Sequence, residues 1–375
     1  MIQKIHIQNF KSIYDLEIEV GRVNLFIGEN GSGKSNLLEA LVFVSASQSN
    51  KLDNEFLFSR GIRVTEPQFM RSAFNKKDIN KNIAIIISHT SNDSNEYVFS
   101  NDDAEYSKWE IVQSGETVDL ELTSDIADKL ANYARESDMD VSKFIDKLIK
   151  NFHNSLIDSF IIYSPENTAL RIFDKEGQIQ PLGINGEGLL KLLKVIKNYE
   201  DKTHIKTIIK TLQLFNWFED IKIPTDLKSN ENKIIIKDKY LYQEFDQRSA
   251  NEGFLFILFY ITLIVAKETP KAFAIDNIDA SLNPKLCTKL MTILTDLAKK
   301  YDKQIFLTTH NPAILDGIDL NDEEQKLFVV SRNKEGHTRM KNITVKDKPK
   351  SSTDEPLKLS EAFLRGYLGG LPKGF

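Results

Sequence analysis

The stretch Gly28-Glu29-Asn30-Gly31-Ser32-Gly33-Lys34-Ser35 stands between an apolar run, Val23 to Ile27, and a helical pattern from Asn36 to Val44. A strand, a tight Gly/Ser loop and a helix in that order leave the chain few folds to choose from. The small residues let successive backbone N–H groups converge on one anion, while the helix directs its positive end at the same point. Lys34 then reaches the β- and γ-phosphates, and Ser35 offers its hydroxyl to a Mg²⁺ ion. The alternative, a chance turn before a helix, does not explain the complete G-x4-G-K-S string. The stretch therefore reads as a phosphate-binding P-loop, with Gly28, Asn30, Gly31, Ser32, Gly33, Lys34, Ser35 and Asn36 as the candidate nucleotide contacts.

The remaining chain sets the context. At 375 residues it has room for one large domain with an insertion, or for two. A net charge of −5 gives no global attraction to nucleic acid or anionic lipid, so any such contact has to be local. The single cysteine, Cys287, excludes an intrachain disulfide and suits a reducing compartment. Met1 leads directly into a strand-like segment with no signal peptide, and the longest apolar run, Phe254 to Ala266, is shorter than the roughly 20 residues a membrane span needs. It reads as a buried helix. The expected location is the cytoplasm.

Alternation over residues 2–20 predicts a hairpin that feeds the P-loop strand. Short strand-like runs at Ile83–Ser88, Tyr97–Phe99 and Trp109–Val112 predict an antiparallel meander closed by Gly115. Helical spacing then takes over: Val141 to Phe152 with Asp140 as N-cap, a Leu-rich helix opened by Gly183 to Gly188, and Ile205 to Phe215, with a short strand at Phe160–Tyr163 between the first two. Strand signals return at Ile234–Ile236 and Tyr240–Phe245. The apolar helix follows, and then the two-sided apolar strands Ala272–Ile275 and Ile305–Thr309 alternate with a helix over Lys285–Lys299, as a parallel α/β sheet requires. A final strand is expected at Leu327–Ser331. The expected organisation is an α/β head whose N-terminal part covers 1–118, a mostly helical insertion at 119–216, the C-terminal part of the head at 217–345 and a tail from 346.

Asp276 closes an apolar strand, a position from which a carboxylate holds Mg²⁺ through its water shell. The plain alternative is a solvated strand end. His310 ends the next apolar strand, where its imidazole is placed to bond a γ-phosphate, although a lone histidine is more often a surface or core residue.

Four segments together resemble the SMC/RecF/OLD-like branch of ABC-type ATPases. They are Ile5-His6-Ile7-Gln8-Asn9-Phe10-Lys11-Ser12, the P-loop continued through Ser35-Asn36-Leu37-Leu38-Glu39-Ala40, the Asp276 strand with Ser281-Leu282-Asn283-Pro284, and Thr309-His310-Asn311-Pro312. More narrowly the chain is similar to the stand-alone ATPases of prokaryotic anti-phage systems such as Septu, AbiL and PARIS. The match covers residues 1 to about 45 and 245–331. It implies an ABC-type P-loop head with an antiparallel β lobe and an inserted helical lobe, binding ATP and Mg²⁺ through Lys34 and Ser35 (Walker A) and Asp276 (Walker B). It also implies that Ala280 to Leu282 lie in the D-loop, that His310 is the switch histidine, and that two heads pair head to tail with the signature of one capping ATP on the other. The signature falls in Arg248 to Gly253, with Asn251 or Ser249 in place of the usual serine and Gly253 as its glycine. Gln68 is a weak candidate for the Q-loop glutamine.

Asn277 departs from the family, which has a glutamate after the Walker B aspartate. An asparagine cannot take a proton from the attacking water, so hydrolysis is expected to be slow, with Asp279 as the substitute base if its loop turns inward. Lys202, Lys206 and Lys210 share one helical face, with Lys191, Lys194 and Lys197 on the helix before; such a track suits a phosphate backbone, though it suits a solvated face at least as well. The Arg60–Lys81 cluster has the same ambiguity and lacks interleaved aromatics. The stretch after Ser331 is too short for the Toprim nuclease that OLD proteins carry after their ATPase. The leading expectation is an ATP-binding subunit of a defence complex that controls a separate effector nuclease. The rival is a RecF-like repair ATPase acting on DNA without such a partner; a transporter ATPase fits less well.

Overall fold

The computed structural model describes residues 1–76, 78–90, 94–104, 107–117, 156–173, 181–226, 232–349 and 357–371. The helical pattern at Val141–Phe152 with its Asp140 cap, and Lys77 of the basic cluster, lie outside the described residues.

A six-stranded sheet forms the centre. Its order is β14 (Thr338–Ile343), β13 (Gln325–Arg332), β3 (Val23–Gly28), β12 (Gln304–Thr309), β11 (Ala272–Ile275) and β7 (Ile162–Tyr163), parallel throughout except for the β13–β14 pair. Side chains alternate across it. Leu25, Ile27, Phe273, Ile275, Ile305, Leu307, Leu327 and Val329 enter one core, and Phe26, Ala272, Ala274, Phe306, Phe328 and Val330 enter the other. Both faces are covered, which is why these strands read as apolar runs with no polar alternation.

One face is covered by helices. The Leu-rich helix (Leu189–Asn198) and the next (Thr203–Leu212) pack with the apolar helix Glu252–Val265, whose residues from Phe254 to Val265 are all buried, and with Pro284–Lys300. No described helix is long and apolar enough to cross a membrane. The other face meets α1 (Lys34–Gln48) and, beyond it, a five-stranded antiparallel sheet ordered β2 (Ile13–Glu19), β1 (Ile2–Phe10), β4 (Ile83–His89), β5 (Ser94–Ser100) and β6 (Glu110–Thr117). Because α1 lies between two sheets, every residue from Leu37 to Ser47 is buried, most of them apolar. Phe43 shows the packing: its ring lies 5.9 Å from Phe10, 4.7 Å from Phe99 and 5.3 Å from Trp109.

Three local expectations change. β6 runs on past Gly115, which pairs with Glu96, so this glycine does not close the meander. The short strand β7, expected among helices, joins the central sheet beside β11, because Ala274 and Asp276 donate to the carbonyls of Ile161 and Tyr163 at 2.9 Å each. Tyr240–Phe245 is not a strand: β8 (Phe218–Lys222), β9 (Ile235–Asp238) and β10 (Phe245–Asp246) form a small antiparallel sheet whose connecting turn exposes Tyr240, Leu241 and Tyr242.

Candidate nucleotide site

Parallel strands bring their carboxyl ends to one edge, where α/β sheets bind ligands. β3 delivers the P-loop there, β11 delivers Asp276 and β12, lying between them, delivers His310. Three segments far apart in sequence therefore converge through backbone pairing alone.

The P-loop is held open for an anion. Gly31 and Gly33 take φ values of +74° and +106°, and Gly33 precedes the first residue of α1. A Cβ on Gly33 would fall 2.1 Å from Thr338 Oγ1, so both conformation and space demand glycine there. Lys34 Nζ donates to the carbonyls of Gly28 and Glu29 at 2.9 Å each. Burial lowers its pKa to about 8, against the opposing pull of Asp276, Glu29 and Asp279. Ser32 Oγ is buried and, among the described residues, meets no partner. An ammonium short of compensating charge and an orphan hydroxyl in a glycine cradle fit a bound polyphosphate.

Ser35 Oγ lies 3.3 and 3.4 Å from the two carboxylate oxygens of Asp276. Thr308 Oγ1 donates to Asp276 and accepts the backbone N–H of Asn277 at 2.9 Å, tying the ends of β11 and β12 together. A hydroxyl and a carboxylate so placed are hard oxygen donors of the kind Mg²⁺ takes alongside water and phosphate. His310 is exposed in part; the partial loss of water around its ring, followed by repulsion from Lys34, lowers its pKa below the usual histidine value. The imidazole therefore stays neutral at pH 7.

Asp279 is committed elsewhere. Its Oδ1 accepts from Thr309 Oγ1 at 2.6 Å and from the His310 N–H at 3.3 Å. Asn277 is exposed with φ +55°, a left-handed conformation that asparagine tolerates better than most residues. The signature segment is likewise exposed at Ser249 and Asn251; Asn251 caps the apolar helix by accepting from the Phe254 N–H at 2.8 Å. Among the described residues no hydrogen bond or ion pair joins Ser249, Asn251 or Gly253 to the P-loop of the same chain. Gly253 instead faces the loop that follows Asp276, where an added Cβ would lie 3.3 Å from the Ser281 carbonyl.

Several residues at the site carried no sequence signal of their own. Thr338 Oγ1 donates to the Ser32 carbonyl at 2.9 Å and meets Ser12 Oγ at 2.7 Å, and Asn36 Nδ2 donates to Ser12 Oγ at 2.6 Å. Arg332 Nε donates to the Gly31 carbonyl at 2.7 Å. Ser12 belongs to the N-terminal segment that carries the resemblance, whereas Thr338 and Arg332 are recognisable only once β13 and β14 lie beside the P-loop. A cavity of about 300 Å³ opens next to Ser35 and Asp276, lined also by Glu39, Arg63, Ser164 and Asn185. Ser164 follows β7. Gln68 is not among the lining residues; it sits on the short helix Pro67–Met70 with its amide on Glu66 at 2.7 Å.

Glu39, 1% exposed, binds Lys11 through one carboxylate oxygen and Arg63 Nε at 2.8 Å through the other. Removing the shared anion leaves the mostly buried Lys11 ammonium with only the Arg63 carbonyl, at 2.9 Å, to accept from it. Glu39→Ala is expected to lower the unfolding free energy by about 3 kcal/mol, measured by urea denaturation. A loss under about 1 kcal/mol would show that this pair is no more than a surface one.

The two basic clusters differ from the sequence reading in detail. Lys202, Lys206 and Lys210 are exposed, but Lys194 is 5% exposed, its helix turning that side toward the core, so the stripe on the preceding helix is broken. In the Arg60–Lys81 cluster, Arg71 is buried against Asp103 at 2.8 Å and Arg60 lies over the Phe56 ring at 4.4 Å.

The profile of the family described as "AAA domain, putative AbiEii toxin, Type IV TA system" matches residues 23–316. The chain belongs to that family. The matched span of this AAA-family chain runs from β3 past His310 and holds the P-loop, Asp276 and the signature segment. "DNA replication and repair protein RecF" from Listeria welshimeri is 38% identical over 55 residues, 14% of this chain and 15% of the relative. The RecF of Phocaeicola vulgatus is 36% identical over 64 residues, 16% and 17% respectively. These curated relatives are thus matched over about 15% of their length. Among solved structures, an Smc head bound to the C-terminal winged-helix domain of ScpA superposes with a TM-score of 0.59 at 15% identity, covering 92% of this chain and 98% of that one. A Pyrococcus furiosus Smc head with an extended coiled coil, bound to the C-terminal domain of ScpA, gives 0.52 at 14% identity, covering 92% and 96%. The fold is that of an SMC/RecF-like ABC-type P-loop ATPase.

Proposed function

We propose that the chain binds ATP with Mg²⁺ at Gly28–Ser35 and Asp276, and that ATP closes two copies head to tail. In that pair the signature segment around Ser249, Asn251 and Gly253 of one copy covers the P-loop of the other. The observation that carries the reading is the buried Lys34 among P-loop carbonyls, with Ser35 and Asp276 paired beside it. When bound, Mg·ATP supplies the negative charge that Lys34 and the loop N–H groups hold. Ser35 and Asp276 orient the ion, and neutral His310 donates toward the terminal phosphate. The exposed signature, unbonded to its own P-loop, supports a site completed by a second copy.

Turnover is slow in this reading, because Asn277 supplies no base and Asp279 is bonded to Thr309 and His310. The pair then works as an ATP-held scaffold. The reading extends to a bacterial defence complex in which the scaffold restrains or releases a separate effector nuclease, as the resemblance to anti-phage ATPases implies; the matched family description itself names a putative toxin of a type IV toxin–antitoxin system. Co-expression with the neighbouring reading frames, pull-down and mass spectrometry test this; recovery of no nuclease partner, with or without ATP, counts against it. The RecF relatives favour a second reading, a repair ATPase that holds DNA on Lys202, Lys206 and Lys210. Tight, salt-dependent DNA binding lost on substitution of those lysines would select it.

The low pKa of Lys34 fixes a pH dependence. Below pH 8 the ammonium is charged with or without nucleotide, so affinity is flat. A bound triphosphate favours the charged form and raises the Lys34 pKa above its value of about 8 in the free protein. Between the two values binding takes up a proton, and affinity for Mg·ATP falls as pH rises through 8, approaching about tenfold per pH unit. Calorimetric titrations from pH 7 to 9.5 in buffers of different ionisation heat check both the slope and the proton uptake.

A further inference from the structure

Tyr260 is the buried hydroxyl that the site so far leaves unused. It sits in the apolar helix that Asn251 caps, it is 0% exposed, and among the described residues its Oη meets no partner. The cost of an unmade buried bond, of order 1–3 kcal/mol, is not one a core helix carries without reason when phenylalanine has the same shape. Burial first, then the Asp279 carboxylate and the Cys287 side chain, push the Tyr260 pKa up, so the hydroxyl keeps its proton and is available as a donor. Cys287 Sγ in turn lies 3.5 Å from Asn311 Nδ2, beside His310. On Asp279, Oδ1 holds both donors from the end of β12, while Oδ2 takes no hydrogen bond among the described residues.

The loop that carries Asp279 is tightly turned. It turns through Ala280 N–H to the Asn277 carbonyl at 3.0 Å and Leu282 N–H to the Asp279 carbonyl at 3.2 Å. Two of its non-glycine residues, Asn277 and Ser281, hold φ of +55° and +60°. Such residues persist where surrounding contacts over-determine them and relax when those contacts change. The same loop touches Gly253 through Ser281, at the start of the helix that bears Tyr260.

We infer that Tyr260 is a positioning residue for this loop: its hydroxyl donates to Asp279 Oδ2 when residues 277–282 shift as two heads close on nucleotide, coupling the Asn251 helix to the His310 strand. The inference rests on the ATP-dependent pairing proposed above. The bond, made only in the closed form, stabilises it without touching nucleotide. It also gives Asp279 a role as a mechanical link in place of a base.

The test compares parent, Tyr260→Phe, Asp279→Asn and the double variant. Binding of a fluorescent mant-ATP, self-association in Mg·ATP by sedimentation velocity, and thermal midpoints without nucleotide are measured on each. Tyr260→Phe is expected to keep its midpoint or raise it slightly and to bind mant-ATP as the parent does, while its dimer dissociates about tenfold more readily in Mg·ATP. The double variant is expected to dissociate no more readily than the weaker single one. The inference is overturned by unchanged association of Tyr260→Phe, by additive effects in the double variant, or by a lower midpoint without nucleotide, which would mean the hydroxyl is already bonded. A parent that binds no mant-ATP, or binds it and stays monomeric, overturns the nucleotide-dependent pairing itself and this inference with it.

Discussion

Asn277→Glu is expected to raise steady-state phosphate release from ATP by about 10²-fold over the parent, the lower end of what a placed general base contributes. Position favours the gain. The residue directly follows Asp276, whose carboxylate is fixed by Ser35 and Thr308, and its own N–H is anchored to Thr308 Oγ1 at 2.9 Å. A glutamate there holds the left-handed φ of +55° at a cost of about 1–2 kcal/mol, which sets the expected gain at the lower end of that range. Phosphate release is followed under saturating Mg·ATP. Asp276→Ala is expected to reduce the engineered activity to background, since no other described carboxylate lies against Ser35. A parent that already turns over ATP at a rate unchanged by Asn277→Glu would show that the base lies elsewhere in the site.

Lys34→Ala is expected to weaken Mg·ATP binding by about 10²–10⁴-fold, the equivalent of two charge-assisted hydrogen bonds to phosphate at about 1.5–3 kcal/mol each. The bonds it now makes to Gly28 and Glu29 carbonyls show that the ammonium is preplaced at the mouth of the loop. Its pKa of about 8 shows that these carbonyls and Asp276 do not fully offset its burial. Substitution removes a poorly compensated cation, so the thermal midpoint without nucleotide should hold or rise while affinity collapses. Equilibrium binding and a thermal ramp on the same preparation separate the two. Loss of affinity together with a large drop in midpoint would make Lys34 a structural cap of the loop.

Much of the head was legible because its signals are local. The two-sided apolar runs at Val23–Ile27, Ala272–Ile275 and Ile305–Thr309 are what a parallel sheet covered on both faces requires, and each became a central strand. Phe254–Ala266 was legible as a buried helix for the same reason: every face of it meets apolar side chains. Where burial is one-sided or the strand is very short, local pattern failed. Tyr240-Leu241-Tyr242 has strand-like composition but forms an exposed turn, because β9 and β10 pair through only two residues each. Ile162–Tyr163 is too short to announce a sheet, yet two backbone bonds to β11 set it there and bring Ser164 to the cavity. Lys194 shares the spacing of a solvated stripe, but its helix turns it inward.

By itself the sequence determined that a phosphate-binding loop exists and which residues compose it, since G-x4-G-K-S encodes its own backbone geometry within eight residues. It also put an asparagine, which takes up no proton, directly after Asp276, a matter of side-chain chemistry at one position. What it could not determine is who stands next to whom across long separations. That Ser12 and Thr338 brace Ser32, that Asp279 is bound to the end of β12, and that Tyr260 is left with a buried unbonded hydroxyl near it are consequences of strand order and register. Strand pairing is fixed by the burial of both sheet faces at once, and only the folded chain satisfies that condition.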